Sequence, residues 1–354
     1  MNNEKKLDGR LKVACVADHF MTEDFYRAAL AEFEEFELTG ISYFGAHTRE
    51  EMRAMVDRIE KVGPQSYAPP QALYAHIKDA DVLIVHLCPV SRALMEAAPN
   101  LKYILSNRGG LENIDIAAAE ELGIHVINNP AHNSNAVAEL TICLMICETR
   151  NVARANKGLK DGVWREDYPN FGRVFELRGQ TVGLIGFGNI GRLVAEKLMP
   201  FGTKVITTDP AVKPDDPDLA RLGVELVDLD TLLTRADIVS LHARSLKKEL
   251  ILDEREFSLM KPTATFINTA RAYMVNYDAL AKALEEKRIN GAALEVFPYE
   301  PIPQSSPFLK LDNVTLTNHR GGDTVNCYSD STSSLLSMLS GWLTEGKKPK
   351  FWVV

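Results

Sequence analysis

The chain has 354 residues, 45% of them hydrophobic and 25% charged, with a formal net charge of -8. That length suits two domains, since single cores stop growing near about 250 to 300 residues, and the composition excludes a disordered chain. The acidic balance with scattered Lys and Arg argues against a nucleic-acid groove, and no stretch approaches the roughly 20 apolar residues of a membrane span.

The opening "MNNEKKLDGRLKVACVAD" passes from a charged tail into a short apolar run, with no hydrophobic region and cleavage site of the secretory kind. A cytoplasmic location is expected. Cys15, Cys88, Cys143, Cys147 and Cys327 are odd in number and form no C-x-x-C, so reduced thiols and no metal site are expected.

Over the first hundred residues, β-rich runs alternate with helical-period stretches: "LKVACVAD", "EDFYRAALAEF", "FELTGISYF", "REEMRAMVDRIEKV", "DVLIVHL", "SRALMEAAPN" and "KYILS". Such alternation predicts a parallel sheet with helices on both faces. A second α/β series is read from about residue 107, with "IHVINN", "TVGLIGFG", "KVITTD", "DIVSLHA", "ATFINTA", "GAALEVF" and "NVTLTNH" as seven strands. The fold class is therefore α/β, two Rossmann-like doubly wound parallel-sheet domains. Between the first two runs of the second series lies a long helix, capped by Asn133 or Ser134 and apolar nearly all round at its start. Its face requires a domain interface or a dimer. The tail from residue 323 has a helical pattern, with apolar positions at 325, 328, 335, 336, 339 and 342, and can pack back onto the first domain.

The sharpest local signal is "TVGLIGFGNIGRLVAEKLMPFGTKVITTDP". A strand runs into Gly186, Gly188 and Gly191, a helix follows, and a second strand ends at Asp209. In such a unit Gly186 permits the tight turn, Gly188 lets backbone approach a pyrophosphate, and Gly191 allows close helix packing. Amides near Asn189 and Ile190 face the anion at the positive helix end. Asp209 accepts ribose hydroxyls and repels a 2′-phosphate, favouring NAD over NADP; the plainer reading makes it a turn residue before Pro210.

Later strand ends carry Arg271, Glu295, Glu300 and His319. In an open parallel sheet these are the ends where ligands sit. The order of "EAAPNLKYI", "ENIDIAAAEELGIHVINNP", "NAVAEL", the glycine motif, "ADIVSLHA", "MKPTATFINTARA", "GAALEVFPYEP" and "DNVTLTNH" resembles the D-isomer-specific 2-hydroxyacid dehydrogenases over nearly the whole chain. The resemblance implies a discontinuous substrate domain, 1–106 plus 321–354, around an inserted NAD-binding domain, 107–320, with the active site between them. It implies a homodimer through the NAD domain and a small 2-hydroxy or 2-oxo acid substrate, a sugar acid among the candidates.

Carried over residue by residue, Arg271 clamps the substrate carboxylate, His319 is the acid/base and Glu300 orients it. Gly109 and Gly110 match the carboxylate-binding loop; His242, Thr141, Thr269 and Ala270 match positions lining the cofactor. Glu295 stands where many members have Asp, at the position expected to hold the nicotinamide carboxamide. Ala272 replaces the usual glycine after the clamp. Asn318 and Arg320 flank His319 in an unusual way, and Arg320 is open to two readings, a second anion contact or a solvent-facing side chain. Val85, His86 and Leu87 fall where the phosphoglycerate dehydrogenase branch has its phosphate-binding Arg-Ser pair, which weakens that alternative and makes His86 a substrate-contact candidate. An NAD-sensing corepressor is the competing class. Glu300 argues against formate dehydrogenase, where a Gln pairs with the His.

Overall fold

The short apolar runs near the start form strands β1 (Leu11–Ala17), β2 (Phe36–Tyr43), β3 (Val82–Val85), β4 (Tyr103–Ser106) and β5 (His125–Asn128). All pair in parallel, in the order β2-β1-β3-β4-β5. β3 is buried along its whole length, as a central strand between two helical layers must be. The computed structural model describes residues 9–243 and 249–354; residues 1–8, part of the opening stretch from which location was read, lie outside them.

The chain divides into a first unit, residues 1–132 with 324–354, and a second, residues 133–323. This corrects the boundary expected at residue 106. "IHVINN" is a strand, but it pairs with β4, Tyr103 opposite His125, and so extends the first sheet. Strand character is local, whereas the sheet that receives a strand is set by a distant neighbour.

The tail returns to the first unit as the helix Val325–Glu345. Its Thr324 side chain caps the Cys327 N–H at 3.2 Å, and Gly346 ends it in the left-handed region at φ 67°. Leu335, Leu336 and Leu339 share a core with Tyr26, Ala29 and Leu30. Val325, expected on the apolar face, is exposed.

The second unit has seven parallel strands: β6 (Thr181–Ile185), β7 (Lys204–Thr208), β8 (Val224–Leu226), β9 (Ile238–Leu241), β10 (Thr265–Asn268), β11 (Gly291–Leu294) and β12 (Val314–Leu316). Their order is β12-β11-β10-β9-β6-β7-β8. The number matches expectation while the membership does not: β5 is elsewhere, and β8, three residues with an exposed centre, carries too little apolar signal to be read. The order reverses at β6, so the crevice at the carboxyl ends of β6 and β9 is where such sheets take ligands.

The long helix, Ser134–Thr149, does not need a second molecule to cover it. Ala138, Ile142, Leu144 and Met145 pack with Leu184, Ile267 and Ala293 of the unit's own sheet. Asn133 occupies its N-cap position without a side-chain bond. At the far end, buried Glu148 receives Arg154 at 2.5 Å and the Thr315 hydroxyl at 2.6 Å, tying the helix to β12. Burial pushes the Glu148 carboxyl up to about 7, against the pull of Arg154.

Candidate active site

The turn after β6 requires Gly186 and Gly191 to be glycine. Gly186 has φ 103°, and a Cβ there would lie 2.5 Å from the Ala243 nitrogen; one on Gly191 would lie 2.3 Å from the Gly186 carbonyl oxygen. A Cβ on Gly188 would meet nothing within 4 Å, so this side of the turn is open. Gly188 is the N-cap of the helix Asn189–Leu198, which carries Ile190 in its first turn. Room for close approach and the positive end of a ten-residue helix coincide, as a pyrophosphate needs.

Asp209 follows β7 and braces this turn. Its Oδ2 accepts the Phe187 N–H at 2.8 Å and its Oδ1 the Ala211 N–H at 2.9 Å. The plain turn reading and the ribose reading are compatible, because each carboxylate oxygen can accept a second bond. Across the crevice, His242 follows β9 with Nε2 2.9 Å from the Ser240 hydroxyl. Burial lowers His242 to about 3, so its ring is neutral at ordinary pH. Thr141 and Thr269, far apart in sequence, meet hydroxyl to hydroxyl at 2.8 Å, both buried. The Ala270 N–H donates to the Asn268 side chain at 3.0 Å, fixing the start of the loop that carries Arg271.

Arg271 is exposed, and its guanidinium donates to the Ala270 carbonyl at 2.7 Å. Glu300 and His319 are brought together: Nδ1 lies 2.7 Å from Oε2, while Oε1 accepts the Phe297 N–H at 2.9 Å. Both side chains remain open to solvent, at 44% for His319 and 37% for Glu300. Among the described residues the other ring nitrogen, Nε2, has no hydrogen-bond partner.

Two candidates are engaged with neighbouring parts of the chain. Glu295, 2% exposed, accepts the Arg320 N–H at 2.6 Å, so its carboxylate is engaged with the chain's own backbone. Arg320 turns its guanidinium onto Asp323 at 2.6 Å, which favours the plainer of its two readings. Asn318 is exposed.

In the first unit, Gly109 and Gly110 follow β4, and the Asn128 amide donates to the Gly109 carbonyl at 2.8 Å. A Cβ on Gly109 would lie 2.9 Å from Pro130 Cα. His86 follows β3, and its Nδ1 lies 2.9 Å from the buried carboxylate of Asp18, which follows β1. Burial alone would raise the Asp18 carboxyl, but the His86 ring and the Met21 and Phe20 N–H groups hold it below the usual range. Phe20 and Tyr328 stack at 5.9 Å and set their edges on the His86 ring at about 6 Å. The order β2-β1-β3 makes this the switch point of the first sheet. Sequence reading missed Asp18; its position as the acid closing the first strand was the available signal.

Among the described residues no cluster of three His, Cys, Asp or Glu is placed to hold a metal, and no helix is long and apolar enough to cross a membrane. A family model described as D-isomer specific 2-hydroxyacid dehydrogenase, NAD binding domain, matches residues 142–321. A glyoxylate reductase of Thermofilum pendens is 39% identical over 262 residues, 73% of this chain and 77% of that one. A D-3-phosphoglycerate dehydrogenase of Methanocaldococcus jannaschii is 40% identical over 75% of this chain and 51% of its own length. In fold, an NAD-complexed D-isomer specific 2-hydroxyacid dehydrogenase of Lactobacillus delbrueckii ssp. bulgaricus aligns with a TM-score of 0.73 over 97% of this chain and 100% of that one, at 22% identity. With a family model over half its length and relatives matching nearly three quarters of it, the chain belongs to the D-isomer specific 2-hydroxyacid dehydrogenase family, NAD-dependent oxidoreductases of hydroxy and oxo acids.

Proposed function

We propose that this chain interconverts a small, non-phosphorylated 2-oxo acid and its 2-hydroxy acid, with His319 as proton carrier, Glu300 as its orienter and Arg271 as carboxylate clamp. The observation that carries the reading is the 2.7 Å bond from His319 Nδ1 to Glu300. It leaves Nε2 to face substrate. A carboxylate on one ring nitrogen fixes the tautomer and steadies the ring when both nitrogens carry protons.

NAD, when bound at the glycine turn, supplies or accepts the hydride at C2. In reduction, His319 gives its Nε2 proton to the C2 oxygen; in oxidation it takes that proton back. The Arg271 fork suits a carboxylate in two-point contact, and the Gly109 and Gly110 amides are proposed to bind a substrate carboxylate. Gly186, Gly188, Asn189, Ile190, Gly191 and Asp209 are proposed to hold the dinucleotide, with His242, Thr141, Thr269 and Ala270 along it. The neutral His242 adds no charge there.

The polar His86–Asp18 pair with its aromatic neighbours supports a substrate with a hydroxyl beyond C2, as in hydroxypyruvate or a short sugar acid. A homodimer through the NAD-binding unit is proposed on the exposed Trp164 (79%) and Phe171 (80%), with Leu159 and Val163 close in sequence. A cytoplasmic location is proposed on the free thiols of Cys15, Cys88, Cys143 and Cys147. NADH oxidation with glyoxylate, hydroxypyruvate, phosphohydroxypyruvate and longer 2-oxo sugar acids tests the reading. Hydroxypyruvate is expected to lead; preference for the phosphorylated acid would move the assignment to the phosphoglycerate branch.

A further inference from the structure

We propose that Glu295 is the positioning residue of the proton carrier: its buried carboxylate pins the backbone turn that presents His319. This rests on the reading of His319 as the acid/base.

β11 and β12 stop pairing where the Thr317 N–H donates to the Leu294 carbonyl at 3.0 Å. Two residues later the chain bends through His319, whose φ of 55° is left-handed. A non-glycine residue held there is strained, so something must hold it. The Glu300 bond fixes the ring and leaves the backbone free. Glu295, directly after β11, supplies the missing restraint. Its Oε1 accepts the Arg320 N–H at 2.6 Å, and the Gly321 N–H lies close enough to pull the carboxyl down. A Cβ on Gly321 would lie 2.5 Å from Oε2, so the residue there must be glycine for the carboxylate to seat.

The fit depends on the length of the side chain. An aspartate would draw the carboxylate back by roughly 1.5 Å, one C–C bond, and a 2.6 Å contact would open beyond hydrogen-bond range. Two carboxylates thus divide the work, Glu300 on the imidazole and Glu295 on the peptide groups after it. Burial raises the Glu295 carboxyl; the Arg320 N–H, the His319 ring and the Gly321 N–H pull it down, and Glu300 opposes them. The Arg320 side chain, paired with Asp323, is spent elsewhere. A carboxylate so bonded and, unlike Asp209, only 2% exposed is a poor candidate for the nicotinamide contact expected at its position.

The test compares wild type with Glu295→Asp and Glu295→Gln, reading kcat, the NADH dissociation constant and the 15N imidazole signals of His319, assigned with His319→Asn. Glu295→Asp is expected to lose about 10- to 100-fold in kcat, to hold NADH within about twofold, and to shift the His319 Nδ1 signal away from its Glu300-bonded position. Glu295→Gln, whose amide oxygen still accepts one N–H, is expected to fall between, and carries the test if the aspartate variant does not fold. Unchanged His319 signals in both variants, or weakened NADH binding at unchanged kcat, would overturn the proposal. The NMR comparison needs no turnover, so a wild-type protein inactive on every acid would sink the proposed function and leave the positioning role still decided.

Discussion

His319 sits at a left-handed φ of 55° with Nδ1 2.7 Å from Oε2 of Glu300, so a strained backbone position and a charge-assisted bond converge on one imidazole. Strain of this kind persists where surroundings over-determine it, and such places cluster at reactive sites.

Replacing Glu300 by Gln removes the carboxylate while keeping the side chain's shape. The Phe297 N–H can still be accepted. A fall in kcat of about 100-fold is expected, with NADH affinity unchanged, measured by steady-state kinetics and by fluorescence titration. Equal loss in both quantities would place Glu300 in folding of the loop and not in chemistry.

Asp209→Asn keeps an acceptor for the Phe187 N–H and removes the charge. Two like charges about 4 Å apart repel by about 4 kcal/mol at an effective dielectric near 20, and a third of that is roughly tenfold. The ratio of kcat/KM for NADH over NADPH is therefore expected to fall by about tenfold or more. An unchanged ratio would return Asp209 to a purely structural brace of the glycine turn.

His242 predicts an acid-side loss of stability. Its folded-state value is pushed down by burial from 6.5 to about 3, so below 6.5 the unfolded chain binds a proton that the folded chain refuses. The stabilisation is complete above about pH 6.5 and is lost as pH falls toward 3. At about 1.4 kcal/mol per unit this amounts to the order of 5 kcal/mol over the full range. His242→Gln should show a shallower fall in Tm between pH 6.5 and 4 than wild type; parallel curves would show that another group controls the acid limb.

Trp164→Glu combined with Phe171→Glu should convert the proposed dimer to monomer in analytical ultracentrifugation without loss of helical signal. Both side chains are exposed, so their replacement costs the monomer little. A wild-type protein that sediments as a monomer would refute the dimer outright.

Much of this was legible because the relevant forces are local. Gly186 can be read from sequence because a strand-to-helix turn at φ 103° against Ala243 admits no side chain. The parallel strands are legible because burial on both faces leaves unbroken apolar runs, as in β3 and β11. What was misread depends on distant partners. Residues 125–128 were identified as a strand and assigned to the wrong sheet, since nothing within them names β4 as their neighbour. The helix Ser134–Thr149 signalled that it was apolar, without saying that Ile267 and Ala293 would cover it. Glu295 stood out by its extra methylene, yet only the course of the chain after His319 shows which amides that length reaches.

The central claim, that His319 moves the proton at C2, is tested most directly by kcat for NADH-dependent reduction of hydroxypyruvate in wild type and in His319→Gln. Wild-type turnover with a loss of about 100- to 10,000-fold in the variant, at unchanged NADH affinity, is the expected result. A variant that turns over at the wild-type rate would contradict it.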